Sequence, residues 1–306
     1  MVEASKVLGP PLLAAAATWV VADWRRHPHP KIYPVFEPNT CTWQYVVADP
    51  STSEAVIIDP VLDHDASTRT ASTHTADNLL ALIHEQGYTI DRILGTHAHA
   101  DHLTAAAYLQ SKLGAAQAHR NHRPPLICIG RRIGIQFVVG RALSVTALHL
   151  PSHTPDHLGY YIGGGGGHVF CGDSLFHPDI GAARRLLALL TAVRIWPGHD
   201  YPPPPPAKED DGAKEDGHRQ HHHQHPREPV SWATVADHRR HLRDGISEEE
   251  FVTMRGERDA RLGAPRLLHQ ALQSNIRAGR LPQPTPGFRD RLLHVPMRLG
   301  PGVGEW

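Results

Sequence analysis

Three imidazoles and a carboxylate fall within six consecutive positions of the stretch Thr96-His97-Ala98-His99-Ala100-Asp101-His102. Neutral imidazole and carboxylate are the ligands that borderline transition metals accept, and on an extended loop the rings of an H-x-H pair point to one side. The chain has 25 histidines, so a surface cluster is the competing explanation. The register of Asp101 and His102 and the further candidates downstream favour a metal site.

Those candidates sit where strands end. Ile90 to Leu94 reads as the buried strand that delivers the His-rich loop. Beyond the loop Leu103, Ala106, Leu109 and Leu113 recur at helical spacing up to Gly114, which places Asp101 and His102 at the start of a helix. A strand from Ser144 to Leu150 leads to the loop that carries His153, from Pro151 to His157. Another, His168 to Cys171, ends in Gly172-Asp173-Ser174, and Val193 to Trp196 runs into Pro197-Gly198-His199-Asp200. Open α/β architectures bind ligands at such carboxyl ends. Upstream, Tyr45 to Ala48 and Ala55 to Ile58 form a hairpin across Asp49-Pro50-Ser51-Thr52-Ser53. Asp59, which closes it, either braces the metal loop from below or simply makes an Asp-Pro turn.

The remaining elements are less tied to chemistry. Thr75 is placed to cap a helix carrying Leu79, Leu82 and Ile83, with Gly87 as its stop. Arg120 to Gly140 gives no clear pattern, and the run Gly163 to Gly167 reads as a loose hairpin connection. Residues 202–229 form a Pro/His-rich disordered insertion, in which His221-His222-His223 has nothing rigid to hold it as a site. From Ser231 the chain reads as helical: Ser247 and Glu250 make a capping box, and a second helix runs from Pro265 through Leu268, Leu272 and Ile276 to Gly279. The organisation expected is an N-terminal extension (1–30), a core (31–201), the insertion, and a C-terminal helical part of the same domain (230–306).

Bulk composition narrows the partners. Lysine plus arginine equals aspartate plus glutamate at 31 each, which gives no electrostatic reason to expect a nucleic acid or an anionic membrane. The apolar run Pro11 to Val21 is too short to span a bilayer, and as a transit peptide it carries Glu3 and no arginine before Arg25. Cys41, Cys128 and Cys171 are too scattered for a disulfide framework and point to a reducing compartment, so the protein is read as intracellular, in the cytoplasm or the mitochondrion. Cys171, two residues before Asp173, is either a catalytic thiol or a packed strand residue.

Together His97, His99, Asp101, His102, His153, Asp173 and His199 match the seven-ligand pattern of the metallo-β-lactamase fold. T-H-A-H-A-D-H, S-H-T-P, C-G-D-S-L-F and P-G-H-D arrive in family order. More narrowly, from about Ile32 to the C-terminus the chain resembles the persulfide dioxygenase (sulfur dioxygenase) branch, close to glyoxalase II. The resemblance rests also on Ile57 to Asp63, Gly181-Ala182-Ala183-Arg184 and Asn275-Ile276-Arg277-Ala278-Gly279.

The resemblance implies an α/β protein, an αββα sandwich with extra C-terminal helices. It implies one Fe(II) per chain on His97, His153 and Asp173, and oxidation of glutathione persulfide by dioxygen to sulfite in sulfide detoxification. His99, Asp101, His102 and His199 then hold the ligands through hydrogen bonds or form an additional metal position. Arg184 matches an arginine near the substrate, with an ordinary solvated arginine as the alternative. A homodimer is compatible with this reading. The rival implication places two Zn(II) on the same seven side chains, bridged by Asp173, for thioester hydrolysis of the glyoxalase II kind. A third is a catalytically impaired or purely binding member. Relatives continue after the G-x-A-R motif with Cys-Asp-Phe-Pro-Gly-Gly, whereas Arg184 passes here straight into Arg185-Leu186-Leu187, and the segment from Arg132 to Ser144 looks short.

Overall fold

A computed structural model of the chain describes residues 29–129, 136–151, 153–164, 166–175, 192–201, 231–234 and 265–283, with a few single positions besides. Its strands are β1 (Lys31–Glu37), β2 (Thr42–Ala48), β3 (Glu54–Ile58), β4 (Val61–Asp65), β5 (Thr70–Ser72), β6 (Thr89–Gly95) and β7 (Leu103–Thr104). They continue as β8 (Leu126–Ile129), β9 (Gln136–Val139), β10 (Leu143–His149), β11 (Leu158–Ile162), β12 (His168–Gly172), β13 (Arg194–Pro197) and β14 (Ala233–Thr234). Three helices are described: α1 (His74–Gln86), α2 (Ala106–Ala118) and α3 (Leu268–Asn275).

Two sheets carry the architecture, ordered β1-β2-β3-β6-β8 and β14-β13-β12-β11-β10-β9, with a small β5-β4-β7 sheet beside them. Period-2 alternation decides what each strand buries. In β2 and β3, Tyr45, Val47, Val56 and Ile58 point toward the second sheet, where they pack with Val145, Tyr160, Ile162, Phe170 and Trp196. Their neighbours Val46, Ala48, Ala55 and Ile57 point the other way, against Leu79 and Ile83 of α1, Leu109 and Leu113 of α2, and Ala271 of α3. The outer face of the second sheet is covered too: Tyr161, Val169, Cys171 and Ile195 pack with Leu150, Leu175 and Leu186. This is the expected sandwich.

Both hairpins form as predicted, with Tyr45 opposite Ile58 and Tyr160 opposite Phe170. The unassigned stretch after Arg120 supplies β8, parallel to β6, and β9, antiparallel to β10. Several boundaries differ from expectation for identifiable reasons. The first helix takes Thr73 as its N-cap, because the Thr75 hydroxyl and N–H are both held by Asp63. Gly87 does end that helix, in the left-handed conformation with φ of 69°. Leu103 lies in β7, paired with Leu62, so the helix starts at Ala106 and the Asp101–His102 pair precedes it. That helix runs through Gly114, which lies against Pro124. Ala233–Thr234, read as helical, instead pairs with β13. The helix expected from Pro265 is present as α3, followed by a turn with Gly279 at φ of 80°.

Most of the N-terminal extension, the Pro/His-rich insertion and the Ser247 capping box lie outside the described residues. Among the described residues no helix is long and apolar enough to cross a membrane.

Candidate metal centre

The site lies at the carboxyl ends of four strands drawn from both sheets. β6 delivers His97, His99, Asp101 and His102; β10, β12 and β13 deliver His153, Asp173 and His199. Two buried tyrosines tie these ends together reciprocally. Tyr160 of the second sheet donates to the Gly95 carbonyl at 2.8 Å, and Tyr45 of the first donates to the Pro197 carbonyl at 2.6 Å. Trp43 N–H also donates to the Gly198 carbonyl at 2.8 Å, and a single bridge pairs Thr42 with His199.

The seven side chains predicted from sequence come together in two sets. The ligand atoms of His97, His153 and Asp173 all lie within 4.8 Å of one another, as do those of His99, Asp101, His102 and His199. Asp173 joins the sets. Its Oδ2 is 3.8 Å from His97 Nε2 and 3.6 Å from His153 Nε2, while Oδ1 is 3.4 Å from His199 Nε2. His199 Nε2 is also 3.1 Å from Asp101 Oδ2, and His102 Nδ1 lies 3.4 Å from Asp101 Oδ1. All are buried except Asp101, 25% exposed, and His153, whose side chain is 37% exposed and forms the open side.

Hydrogen bonds behind the rings fix which nitrogen faces inward. Asp59 accepts from the Thr96 N–H and the Thr96 hydroxyl, each at 2.8 Å. Having given its proton to Asp59, the Thr96 hydroxyl accepts from His97 Nδ1 at 3.0 Å, which leaves the His97 Nε2 lone pair aimed at Asp173. Asp59 Oδ1 is also 3.1 Å from His99 Nε2, leaving His99 Nδ1 as the inward atom. At His199, Nδ1 lies 3.3 Å from the Thr40 carbonyl and Nε2 points into the site. A hydroxyl behind His97, a carboxylate behind His99 and a carbonyl behind His199 form the kind of outer support expected of metal-binding histidines. Asp59 is therefore a brace for the loop, in the left-handed conformation with φ of 49°.

Electrostatics fit a cation. Burial, reinforced by the neighbouring imidazoles of His99, His157 and His153, holds His97 well below its ordinary value, so it is neutral and able to ligate. Burial works against charge on His99, yet the carboxylates of Asp59, Asp101 and Asp173 push it up to about 9. The same field that attracts that proton would attract a metal ion in its place. His97 Nε2, His99 Nδ1, His102 Nε2 and Asp173 Oδ1 are buried and make no hydrogen bond, a pattern unusual for polar atoms unless an ion or ordered water satisfies them. The donor set thus fits a metal.

Four supporting residues were not assigned by the sequence. His157 donates from Nε2 to the Cys171 carbonyl at 2.8 Å and stacks on His97 with centroids 4.6 Å apart. Its spacing from His153 was the available signal. Thr96 and Thr40 act as described above, and Asn275 reaches the His-rich loop from α3. Cys171 is fully buried, and burial pushes its thiol up to about 12, so it is a packed strand residue rather than a nucleophile. All three cysteines are free. Arg184 lies outside the described residues, as does the junction at Arg185.

Comparison with known proteins agrees with this geometry. The metallo-beta-lactamase superfamily model matches residues 42–127. A probable metallo-hydrolase of Burkholderia pseudomallei is 32% identical, over 86% of this chain and 97% of its own. The mitochondrial persulfide dioxygenase ETHE1 of Mus musculus is 30% identical, over 55% of this chain and 67% of its own. A crystal structure of ETHE1 from Myxococcus xanthus superposes with a TM-score of 0.57 at 24% identity, covering 82% of this chain and all of that one, a likeness of fold.

Proposed function

The chain belongs to the metallo-β-lactamase superfamily, and we propose that within it the protein is an iron-dependent persulfide dioxygenase acting on glutathione persulfide. The observation that carries this reading is the set of His97, His153 and Asp173, two histidines and one carboxylate with mutually close ligand atoms and one exposed side. That donor set suits ferrous iron, which when bound supplies adjacent open positions for a persulfide sulfur and dioxygen.

The protein's own residues would do the rest. Thr96 and Asp59 hold His97 in the tautomer that ligates, and His157 stacks against its ring. The half-exposed His153 marks the side from which substrate enters. The buried His199 and the partly exposed Asp101, 3.1 Å apart, stand together beside Asp173. In the overall reaction glutathione persulfide, dioxygen and water give glutathione and sulfite; the terminal sulfur is oxidised and dioxygen is reduced.

A second reading has its own support. His99, Asp101, His102 and His199 form another complete donor set, and Asp173 presents one oxygen to each. Two Zn(II) so held would activate hydroxide for thioester hydrolysis. Protein purified without oxygen separates the two. About one iron per chain, with oxygen uptake on glutathione persulfide, is the expected result. Two tightly bound zincs with thioester hydrolysis and no oxygen uptake would replace it with the hydrolase. A folded, metal-loaded protein with neither activity would identify an impaired member.

A further inference from the structure

The His-rich loop is gripped from outside the two sheets by a single amide. Asn275, the last residue of α3 and only 3% exposed, donates from Nδ2 to the carbonyls of both His99 and His102, each at 2.8 Å. Its Oδ1 accepts from the Thr104 N–H, also at 2.8 Å. One planar side chain thus fixes both ends of the His99–His102 segment and the last residue of the two-residue strand that follows. Three of the four residues of the second donor set lie within or at the ends of that segment.

Packing alone does not hold the loop. A small cavity adjoins it, lined by Asp59, His97, His99, Ile93, Ile127 and Asn275 among others. Asp59 and Asn275, both lining it, are polar braces of the loop, one through Thr96 and the other through the His99 and His102 carbonyls. The turn after α3 is pressed against the same strand. A side chain on Gly279 would come within 2.4 Å of the Thr104 carbonyl, so the end of the helix and the loop cannot move independently.

We propose that Asn275 is a positioning residue that couples the docking of the C-terminal helix to metal binding at the His-rich loop. The coupling concerns the loop backbone and holds whether the resident ion is iron or zinc. Coupling is reciprocal: a helix that improves the loop's hold on metal must itself be held more firmly when metal binds. Residues behind metal ligands typically change affinity by about 10- to 100-fold when replaced.

Asn275→Asp isolates the two donor bonds. It keeps the size and the acceptor for Thr104, but sets carboxylate oxygen against the His99 and His102 carbonyls. Ala271→Gly serves as the comparison: Ala271 packs into the core from α3 and touches none of the loop bonds, so this change weakens helix docking while the docked helix keeps all three Asn275 bonds. Cobalt(II) affinity of chelator-stripped protein, measured by competition, should fall about 10- to 100-fold in Asn275→Asp and by clearly less in Ala271→Gly. The visible cobalt absorption should shift only in Asn275→Asp. In the wild-type protein, zinc(II) should slow amide exchange across residues 268–275. Unchanged cobalt affinity and spectrum in Asn275→Asp, an equal loss in both variants, or α3 exchange indifferent to zinc would each overturn the proposal.

Discussion

Asp59 receives Thr96 twice, through its backbone N–H and its hydroxyl, and so sets the first residue of the metal loop before any ligand is placed. The same carboxylate stands 3.1 Å from His99 Nε2. Replacing it with asparagine keeps the size but removes the charge and the ability to accept from both partners at once. Asp59→Asn should lower metal affinity by about 10- to 100-fold, read by competition with a chelator of known strength. Full metal retention in the variant would show that the loop holds its shape without this carboxylate.

Gly172 should tolerate no side chain. Its φ is 49°, and an added Cβ would lie 2.4 Å from the Thr96 hydroxyl and 3.0 Å from His157 Nε2. Gly172→Ala combines backbone strain with displacement of two residues that orient His97. The expected loss is more than about 1 kcal/mol of stability in a urea titration, together with weaker metal binding. A variant as stable as the wild type would mean the strand end shifts freely, contrary to the close approach of Thr96.

His168 gives the fold a defined acid sensitivity away from the metal. Burial, with smaller effects from Arg194 and His29, lowers its pKa to about 4, and its Nδ1 accepts from Trp196 Nε1 at 3.1 Å. Because the folded state resists protonation more than the unfolded chain, its contribution is fully present above the ordinary histidine value and is lost as pH falls from about 6.5 to about 4. The loss should reach up to about 3 kcal/mol. His168→Asn retains an acceptor and cannot titrate. Metal-free wild type and variant, unfolded in urea at pH 7 and pH 4.5, should diverge at the lower pH. Parallel losses would remove His168 from the account.

The parts that the sequence made legible were dense or periodic. His97, His99, Asp101 and His102 advertise themselves within six positions, and each distant ligand follows a recognisable strand. The unbroken apolar runs Tyr45 to Ala48 and Ala55 to Ile58 match the continuous burial of β2 and β3, strands packed on both faces. Leu103 misled because an apolar residue at helical spacing looks the same whether it continues a helix or pairs with Leu62 across a two-residue ladder. Thr75 misled because its hydroxyl had a better partner in Asp63 than in the helix. Asp59 stayed ambiguous until Thr96 was seen beside it. Asn275 stands out only through the family resemblance, since an amide binding carbonyls more than 170 positions away leaves no local pattern.

The reciprocal tyrosines carry a consequence for the order of events in synthesis. Tyr45 holds a carbonyl that lies 152 positions later in the chain, and Tyr160 holds one 65 positions earlier. Until Pro197 has left the ribosome the first sheet lacks its mate at this end, and His199 follows only two residues behind it. A nascent chain ending earlier displays His97, His99 and His102 without the walls that bring Asp173 and His199 to them. The seven side chains can thus converge only once both sheets have docked, and His199 is the last of them to be made.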